Sequence, residues 1–461
     1  MAYVTKVIVR YRNDDTGREV QLPGLLTQAG ILISHLRYLA SKRIKSESWK
    51  ERSTFAVRLL IKYINANENC FEETRDLLSA FAQAIEFGTI DHETLVDPSG
   101  LYWNPRRSED SRTLLYHLTH YTDWLAERPE YNTKRANPFR KANSEEEKMN
   151  WCAYYNKEAH VFLSHLSDPN EASRRNNKVR TIQASKPPKS SGRFTKRFPE
   201  DEIDNLLMNG WVRRSEIQDP TEHAYIDYKG RAITLLMHYG GVRKSEVFQL
   251  YLQDIIVDRK RGEAVVRIYH PALGESPDKR YKSRREFLAC RYQLKPRTDY
   301  PKSKALHAGW KAPLLTDATG KYFQINFAPV AIAKEFLLTF ECYLRHQRVD
   351  APVDSAHPYA FTNSKGEPET LKNFSRQHKN AVGRIGLQHD KHLGTSEHGH
   401  RHAYGFRLHE YGFSQIEIQK AMHHKHPESC LVYIQKTDEE IRACFEKVER
   451  EASVRHGLSQ R

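Results

Sequence analysis

Two constellations in the sequence hold side chains that could do chemistry. In Gly240-Gly241-Val242-Arg243-Lys244-Ser245-Glu246-Val247 an arginine stands at a glycine-shaped turn between helices. Ser245 is placed to cap the helix that follows, whose Val247, Leu250 and Tyr251 form an apolar face. Arg243 is thereby held near a surface, either to meet an anion or to brace the turn through Glu246. The second constellation is His398-Gly399-His400-Arg401-His402, ahead of a helix over 403–411 and a Gly412 stop. Ser414-x-x-Glu417 forms a capping box opening the next helix. His423-His424, Pro427 and Glu428-Ser429-Cys430-Leu431-Val432-Tyr433 come next, and Thr437-x-x-Glu440 opens a last helix over 438–452 with Ile441, Cys444, Phe445 and Val448 on one face. Eight histidines fall between 392 and 426, so metal ligation has to be weighed. Zinc sites favour His pairs at helical spacing with an acid, as in H-E-x-x-H; none occurs, and no metal is expected.

The elements that must carry these groups follow from periodicity. Residues 1–23 read as a β-hairpin-like segment, alternating over 3–11, turning at 13–17 and returning at 19–22. Over 24–172 the pattern is helical: Leu32, Leu36, Leu39, then Phe55, Leu59, Leu60, Tyr63, and later Leu114, Leu115, Leu118, Trp124 and Leu125 recur at spacings of three and four. Residues 173–197 read as a basic linker. A second domain, 198–461, opens with Pro and acids in a first helical turn at Phe198-Pro199-Glu200-Asp201-Glu202. It has a helix near 222–239, strand-like segments at 264–269 and 322–327, and helices to the end. The fold class is mainly α with a small β-sheet (α+β), without internal repeats.

Charge narrows the partner. The 461 residues carry 73 Lys+Arg against 58 Asp+Glu, a net charge of +15. The excess is clustered: Arg174, Arg175, Lys178, Arg180, Lys186, Lys189, Arg193, Lys196 and Arg197 lie in one stretch with no acid, and Pro187, Pro188, Ser190, Ser191 and Gly192 bar a continuous helix there. A second run, 279–311, includes Lys282, Arg284, Arg285 and Lys311 and holds eleven basic residues against Glu286 and Asp299. Such runs suit a polyanion whose phosphates they neutralise; the plain alternative is a solvated charged surface. Mean hydropathy is −0.75, and no window approaches the ~18 apolar residues of a membrane span. The N-terminus lacks the apolar core and cleavage site of a signal peptide. The six cysteines are scattered singly, with no C-x-x-C, as suits a reducing cytosol.

Taken together, Gly241-x-Arg243-x-x-Glu246, then His398-x-x-Arg401 about 150 residues on, His424, and Tyr433 nine residues later resemble the tyrosine recombinase (phage integrase) family. The resemblance covers about 198–450 by motif order. N-terminally it extends only to the general plan of helical core DNA-binding domain, basic linker and catalytic domain. It implies a site-specific recombinase that cuts and rejoins double-stranded DNA through a 3′-phosphotyrosyl intermediate, as an integrase or transposase of a mobile element. No cofactor, metal or ATP is implied, and copies would assemble as a dimer or tetramer on paired sites in the bacterial cytoplasm. By the same resemblance Tyr433 is the nucleophile, Arg243 and Arg401 the phosphate-binding pair, His398 the acid/base histidine and His424 a hydrogen-bond donor to the scissile phosphate, with Glu246 orienting Arg243. The family's general-acid lysine falls on Lys311, with Lys282 and Lys321 as alternatives. The two basic runs would contact DNA, and helix 438–452 would be exchanged between subunits. Two departures stand out: His423 occupies a position where relatives have glycine, and the 270–310 insertion exceeds a simple hairpin, implying extra DNA contact. The other readings are a DNA-binding protein of this fold without catalysis, a metal-dependent nuclease using the histidine-rich segment, and a type IB topoisomerase, for which a long lysine-rich linker is missing.

Overall fold

The computed structural model describes residues 3–12, 17, 19–91, 93–158, 169–184, 195–213 and 222–434, together with 442, 445, 446 and 449. The chain divides into two units, 1–189 and 190–461, described here one at a time. Among the described residues no helix is long and apolar enough to cross a membrane.

In the first unit β1 (Thr5–Arg12) and β2 (Glu19–Thr27) pair antiparallel from Thr5 opposite Leu26 to Arg12 opposite Glu19, and β3 (Gly30–Ile31) extends the ribbon. The second strand runs on past 22, because Leu22 and Leu25 both turn into the core. Helices α1 (Ile33–Ser41) and α2 (Glu47–Ala66) pack on that face, and α3 (Thr74–Phe87) and α4 (Ser108–Ala126) pack in turn on α2. Ser46 caps α2 by accepting from the Trp49 N–H, satisfying one of the orphan donors of a helix start. Leu36, Leu39, Val57, Tyr63, Phe81, Leu114, Leu118 and Trp124 form one buried cluster, the apolar stripes of amphipathic helices facing each other.

Beyond α4 come β4 (Phe139–Lys141), α5 (Ser144–Glu158), α6 (Pro169–Asn176) and β5 (Lys178–Arg180), the two strands pairing antiparallel. The first part of the basic run is therefore helix and strand rather than extended linker. Long-range pairing decides this: Arg180 lies 3.7 Å over the Phe139 ring and binds Asp123 through both terminal nitrogens, one at 3.1 Å.

The second unit begins with α7 (Ile203–Asn205), which widens into a turn at Leu206–Gly210, and α8 (Glu222–Tyr225). Where the sequence suggests one helix to 239, α9 (Tyr228–His238) starts afresh, because the Asp227 carboxylate caps it by accepting from the Gly230 N–H at 3.0 Å. This helix is buried along its whole length, as suits a central core element. Next is α10 (Lys244–Val247). Ser245 is not its cap: Arg243 holds the cap position, and the Glu246 carboxylate accepts the Arg243 N–H at 3.1 Å.

The sheet is β6 (Ile255–Asp258), β7 (Glu263–Tyr269) and β8 (Tyr322–Gln324) in that order, antiparallel throughout. Ala264, Val266 and Ile268 alternate inward along β7. The long β7–β8 connection contains α11 (Arg284–Tyr292) and is packed: Phe287 and Leu288 join Tyr251 and Tyr359 in a small core of their own. Then follow α12 (Ile332–His346), α13 (Leu371–Arg384), α14 (Glu397–Glu410), α15 (Gln415–Ala421) and α16 (Leu431–Ile434). The helix expected from 403 thus begins at Glu397 and takes in the whole histidine–arginine motif. The Ser414–Glu417 capping box opens α15 with reciprocal hydrogen bonds.

Candidate active site

Arg401 is almost fully buried in α14 and is held by main-chain carbonyls: one terminal nitrogen donates to Gly241 O, the other to Met422 O at 2.6 Å. A guanidinium has five N–H donors, so three remain for a ligand. Gly241 has φ +64°, and a Cβ there would overlap the Tyr404 ring; glycine lets that turn lie flat on α14. Arg243 is half-buried and donates to Glu246 Oε1 at 2.8 Å, its carboxylate partner being only 1 % exposed. The bracing contact therefore exists, and it aims the guanidinium rather than consuming it. Burial, reinforced by the charge of Arg243, draws the Arg401 guanidinium down to about 10, still a cation at neutral pH.

Arg243 shares a cleft of about 270 Å³ with Lys311, Pro313, His423, His424 and Lys425. Lys311 is exposed on its wall; Lys282 and Lys321 are exposed but do not line it. His423 takes φ +54°, the left-handed turn for which glycine is the usual choice. The backbone path is thus kept with a histidine in it, its ring packed 4.3 Å from that of Phe323.

Tyr433 is 4 % exposed. Its ring faces His424 at 6.1 Å and 16° and meets Phe406 edge-on at 5.6 Å. Gly405 makes room for it, since a Cβ there would stand 2.7 Å from the ring. Burial raises the phenol pKa, and the charges of Arg401 and Arg243 oppose the rise. The hydroxyl lies 3.2 Å from His402 Nδ1. His402 is the residue that sequence reasoning passed over. Its signal was the i, i+4 step from His398, visible only once the helix is known to start at Glu397. The His398 and His402 rings meet at 4.4 Å, and His398 itself faces solvent. Desolvation and then neighbouring positive charge lower all four imidazoles around the cleft: His398 to about 4, and His402, His423 and His424 to about 3.

His424 Nδ1 lies 3.2 Å from Cys430 Sγ. Burial raises the Cys430 thiol pKa, so the sulfur carries its proton and can donate it to Nδ1. With the thiol donating, the ring N–H sits on Nε2, free to donate to an anion.

The DNA-contact candidates separate sharply. Arg284 is corrected: it is buried, ion-paired with Asp254 through two hydrogen bonds, one at 2.9 Å, and sandwiched 4.2 Å from each of the Tyr251 and Tyr269 rings. It holds the insertion together and cannot reach a phosphate. Arg297 does the same, donating to Phe248 O at 2.7 Å and Glu369 O at 2.5 Å. The expected extra DNA contact of the insertion thus gives way, at these positions, to internal bonding, an ion pair for Arg284 and main-chain carbonyls for Arg297. Arg285 is exposed and paired with Asp299, and Lys282 is exposed. In the first run Arg180 is committed to Asp123, and Arg197 donates to Glu410 at 2.6 Å. Arg174, Arg175, Lys178 and Lys196 are exposed. Lys186, Lys189 and Arg193 lie outside the described residues. Helix 438–452 also does, except for Arg442, Phe445, Glu446 and Glu449, Phe445 being exposed.

With that geometry in place, residues 328–440 match the phage integrase family. This segment resembles a phage integrase domain. It contains His398, Arg401, His402, His424 and Tyr433, whereas Arg243, Glu246 and Lys311 precede the integrase match. No curated protein sequence matches the chain. Similar solved structures include XerH site-specific recombinase bound to palindromic difH substrate in a post-cleavage complex (13 % identity over 87 % of this chain and 79 % of that one, TM-score 0.44). Others are XerA recombinase (13 %, 90 % and 96 %, 0.34) and the Tn1549 transposon integrase in complex with circular intermediate DNA (14 %, 85 % and 99 %, 0.35).

Proposed function

We propose that the chain is a tyrosine-type, site-specific DNA recombinase that integrates, excises or transposes a mobile element, acting inside the cell on double-stranded DNA with copies assembled on paired sites. The observation that carries this reading is a cleft lined by Arg243, Lys311 and His424, with the Tyr433 ring facing His424 and Arg401 held beside it on Met422 O. Phosphoryl transfer needs an in-line nucleophile, charge on the non-bridging oxygens and an acid for the leaving group. Tyr433 Oη attacks the scissile phosphorus; the P–O5′ bond breaks, leaving a 3′-phosphotyrosyl ester and a 5′-hydroxyl. Reversal by another strand's 5′-hydroxyl rejoins DNA with the phosphodiester energy conserved, so no external energy source is required.

The groups divide the work. Arg243 and Arg401 hold the phosphate oxygens with planar forks, and the Nε2–H of His424 adds a donor. His402, neutral and within hydrogen-bond distance, accepts the phenolic proton as the incoming phosphate charge raises its basicity. His398, one turn earlier, is exposed and meets the His402 ring. Lys311 protonates the leaving oxygen. Basic residues left exposed, Arg174, Lys178, Lys196 and Lys282 among them, supply phosphate-backbone contacts.

The test is covalent trapping on nicked genomic DNA. Wild type is expected to give a denaturation-resistant adduct and Tyr433→Phe none, with DNA binding retained because the hydroxyl adds little to a charge-dominated interface. An adduct from Tyr433→Phe moves the nucleophile elsewhere. A wild type that binds without adduct is a DNA-binding protein of this fold. Sequencing the trapped strand identifies the target.

A further inference from the structure

Behind the cleft, the interior of the second unit contains a row of polar groups that the proposed reaction does not use. It runs from Glu200 through His238, His400 and His378 to His389 and Glu397. His238 Nδ1 and His400 Nδ1 are 3.1 Å apart, and His400 Nε2 and His378 Nε2 2.9 Å apart. At the far end the row stops without a hydrogen bond. His378 is fully buried, and its Nδ1 has no partner; neither has Nε2 of His389. One ring nitrogen of each histidine and a carboxylate oxygen of Glu397 lie within 4.8 Å of one another, the His389 Nε2–Glu397 approach being 3.6 Å. A buried ring nitrogen without a partner, as at His378, is costly.

We propose that His378, His389 and Glu397 bind a divalent transition metal, zinc by the chemistry of the set. Two imidazoles and one carboxylate form a known zinc ligand combination, with bonds of about 2.0–2.2 Å; the three atoms need only draw together around the ion. The surroundings suit ligands that must be held in place. His378 is oriented by His400, and the Lys244 ammonium holds the other Glu397 oxygen at 2.8 Å and Ser375 Oγ at 2.5 Å. The His389 side chain is 21 % exposed, which gives the ion an entry path and leaves room for a water as fourth ligand.

Ligation fixes the tautomers of the row. His378 must keep Nδ1 bare, so its Nε2–H donates to His400, the Nδ1–H of His400 to His238, and the Nε2–H of His238 to Glu200 Oε2, 3.4 Å away. Arg407 can only donate and its terminal nitrogen stands 2.6 Å from His238 Nε2, so ligation has to open that contact and leave Arg407 on its two bonds to Glu200 at 2.9 and 2.7 Å. Sequence spacing gave no hint of this group, because its members stand eleven and eight residues apart on α13, the following loop and the start of α14. The site is a staple. It pins the first residue of the helix bearing Arg401, and through Lys244 it reaches the residue next to Arg243.

The test uses untagged full-length protein without DNA, so its outcome is independent of the recombinase reading. Purified from zinc-supplemented medium, wild type is expected to carry one zinc per chain. After chelation and cobalt(II) loading it should show the intense visible bands of a four-coordinate site. His389→Ala and Glu397→Gln, with far-UV circular dichroism like wild type, should lose both signals, and His392→Ala, an exposed neighbour, should keep them. Zinc-edge X-ray absorption of the wild type should show two imidazoles per metal, a readout that needs no variant to fold. A wild type that neither retains zinc nor takes up cobalt overturns the proposal. So does an imidazole count other than two, or a folded His389→Ala that binds metal like the wild type.

Discussion

The two sides of the candidate site are built on opposite principles. One is cationic and anchored by main chain and carboxylate: Arg401 on two carbonyls, Arg243 on Glu246, with Lys311 at the rim. The other is uncharged at neutral pH: Tyr433 with its phenol pKa raised, beside His402 and His424 with imidazoles drawn down to about 3. In the proposed reaction a phosphate docks on the first side, and protons move on the second. The difference teaches that positive charge here serves both purposes, since the guanidiniums that bind the anion also help keep the imidazoles neutral and ready to accept a proton.

The comparison breaks most severely at Arg401. Arg401→Lys keeps a charge but cannot span Gly241 O and Met422 O while presenting a fork to phosphate. Loss of such a preorganised donor costs about 10²–10³ in rate, and the lost anchoring adds to it. Adduct formation in single-turnover assays should fall at least that far, with DNA affinity changed far less. Rates within tenfold of wild type would show that the buried guanidinium is only structural.

Lys311→Ala tests whether the cationic side also supplies the acid. A positioned general acid contributes about 10²–10⁴-fold. Cleavage of normal DNA should drop by that factor, and cleavage of DNA with sulfur in place of the bridging 5′-oxygen, a leaving group that needs no proton, should stay near wild type. Equal loss on both substrates would transfer the role to Lys282 or Lys321.

On the neutral side, Cys430→Val removes the S–H that fixes His424 with its proton on Nε2. The expected loss in cleavage rate is about tenfold, the worth of one neutral hydrogen bond, without change in DNA affinity; Cys430→Ser should restore most of it. An unaltered rate in the valine variant would sink the tautomer argument.

The smallest effect is thermodynamic. A histidine held at about 3 in the folded protein against 6.5 unfolded leaves stability intact above pH 6.5 and erodes it as pH falls toward 3, because the unfolded chain takes the proton first. For buried His423 this is worth about 2 kcal/mol between pH 7 and pH 5. His423→Asn tolerates the left-handed turn and lacks the imidazole, so its urea-unfolding free energy should be flatter over that interval by this amount. A parallel decline would place the titration on other groups.

What the sequence disclosed follows from the range of the interactions involved. The spacing His398-x-x-Arg401 and the capping box at Ser414 are local, and local patterns can be read. The start of α14 at Glu397 could not be, since Ser396 makes no side-chain capping bond, and with that start hidden His402 had no face to belong to. The fate of Arg284 was equally hidden. Its partner Asp254 lies thirty residues upstream and its aromatic neighbours on separate elements, so a run of positive charge looked available when part of it was spent inside. Arg180 with Asp123 repeats the point in the first unit.

Gly405 sets a limit of a different kind. No group there touches phosphate or moves a proton, yet the phenol ring rests against the bare backbone at that point. A single methyl would push the ring away from His402 and His424 together. The position is therefore closed to mutational drift by volume alone: the proposed nucleophile is aimed by a hydrogen where every other amino acid has a carbon.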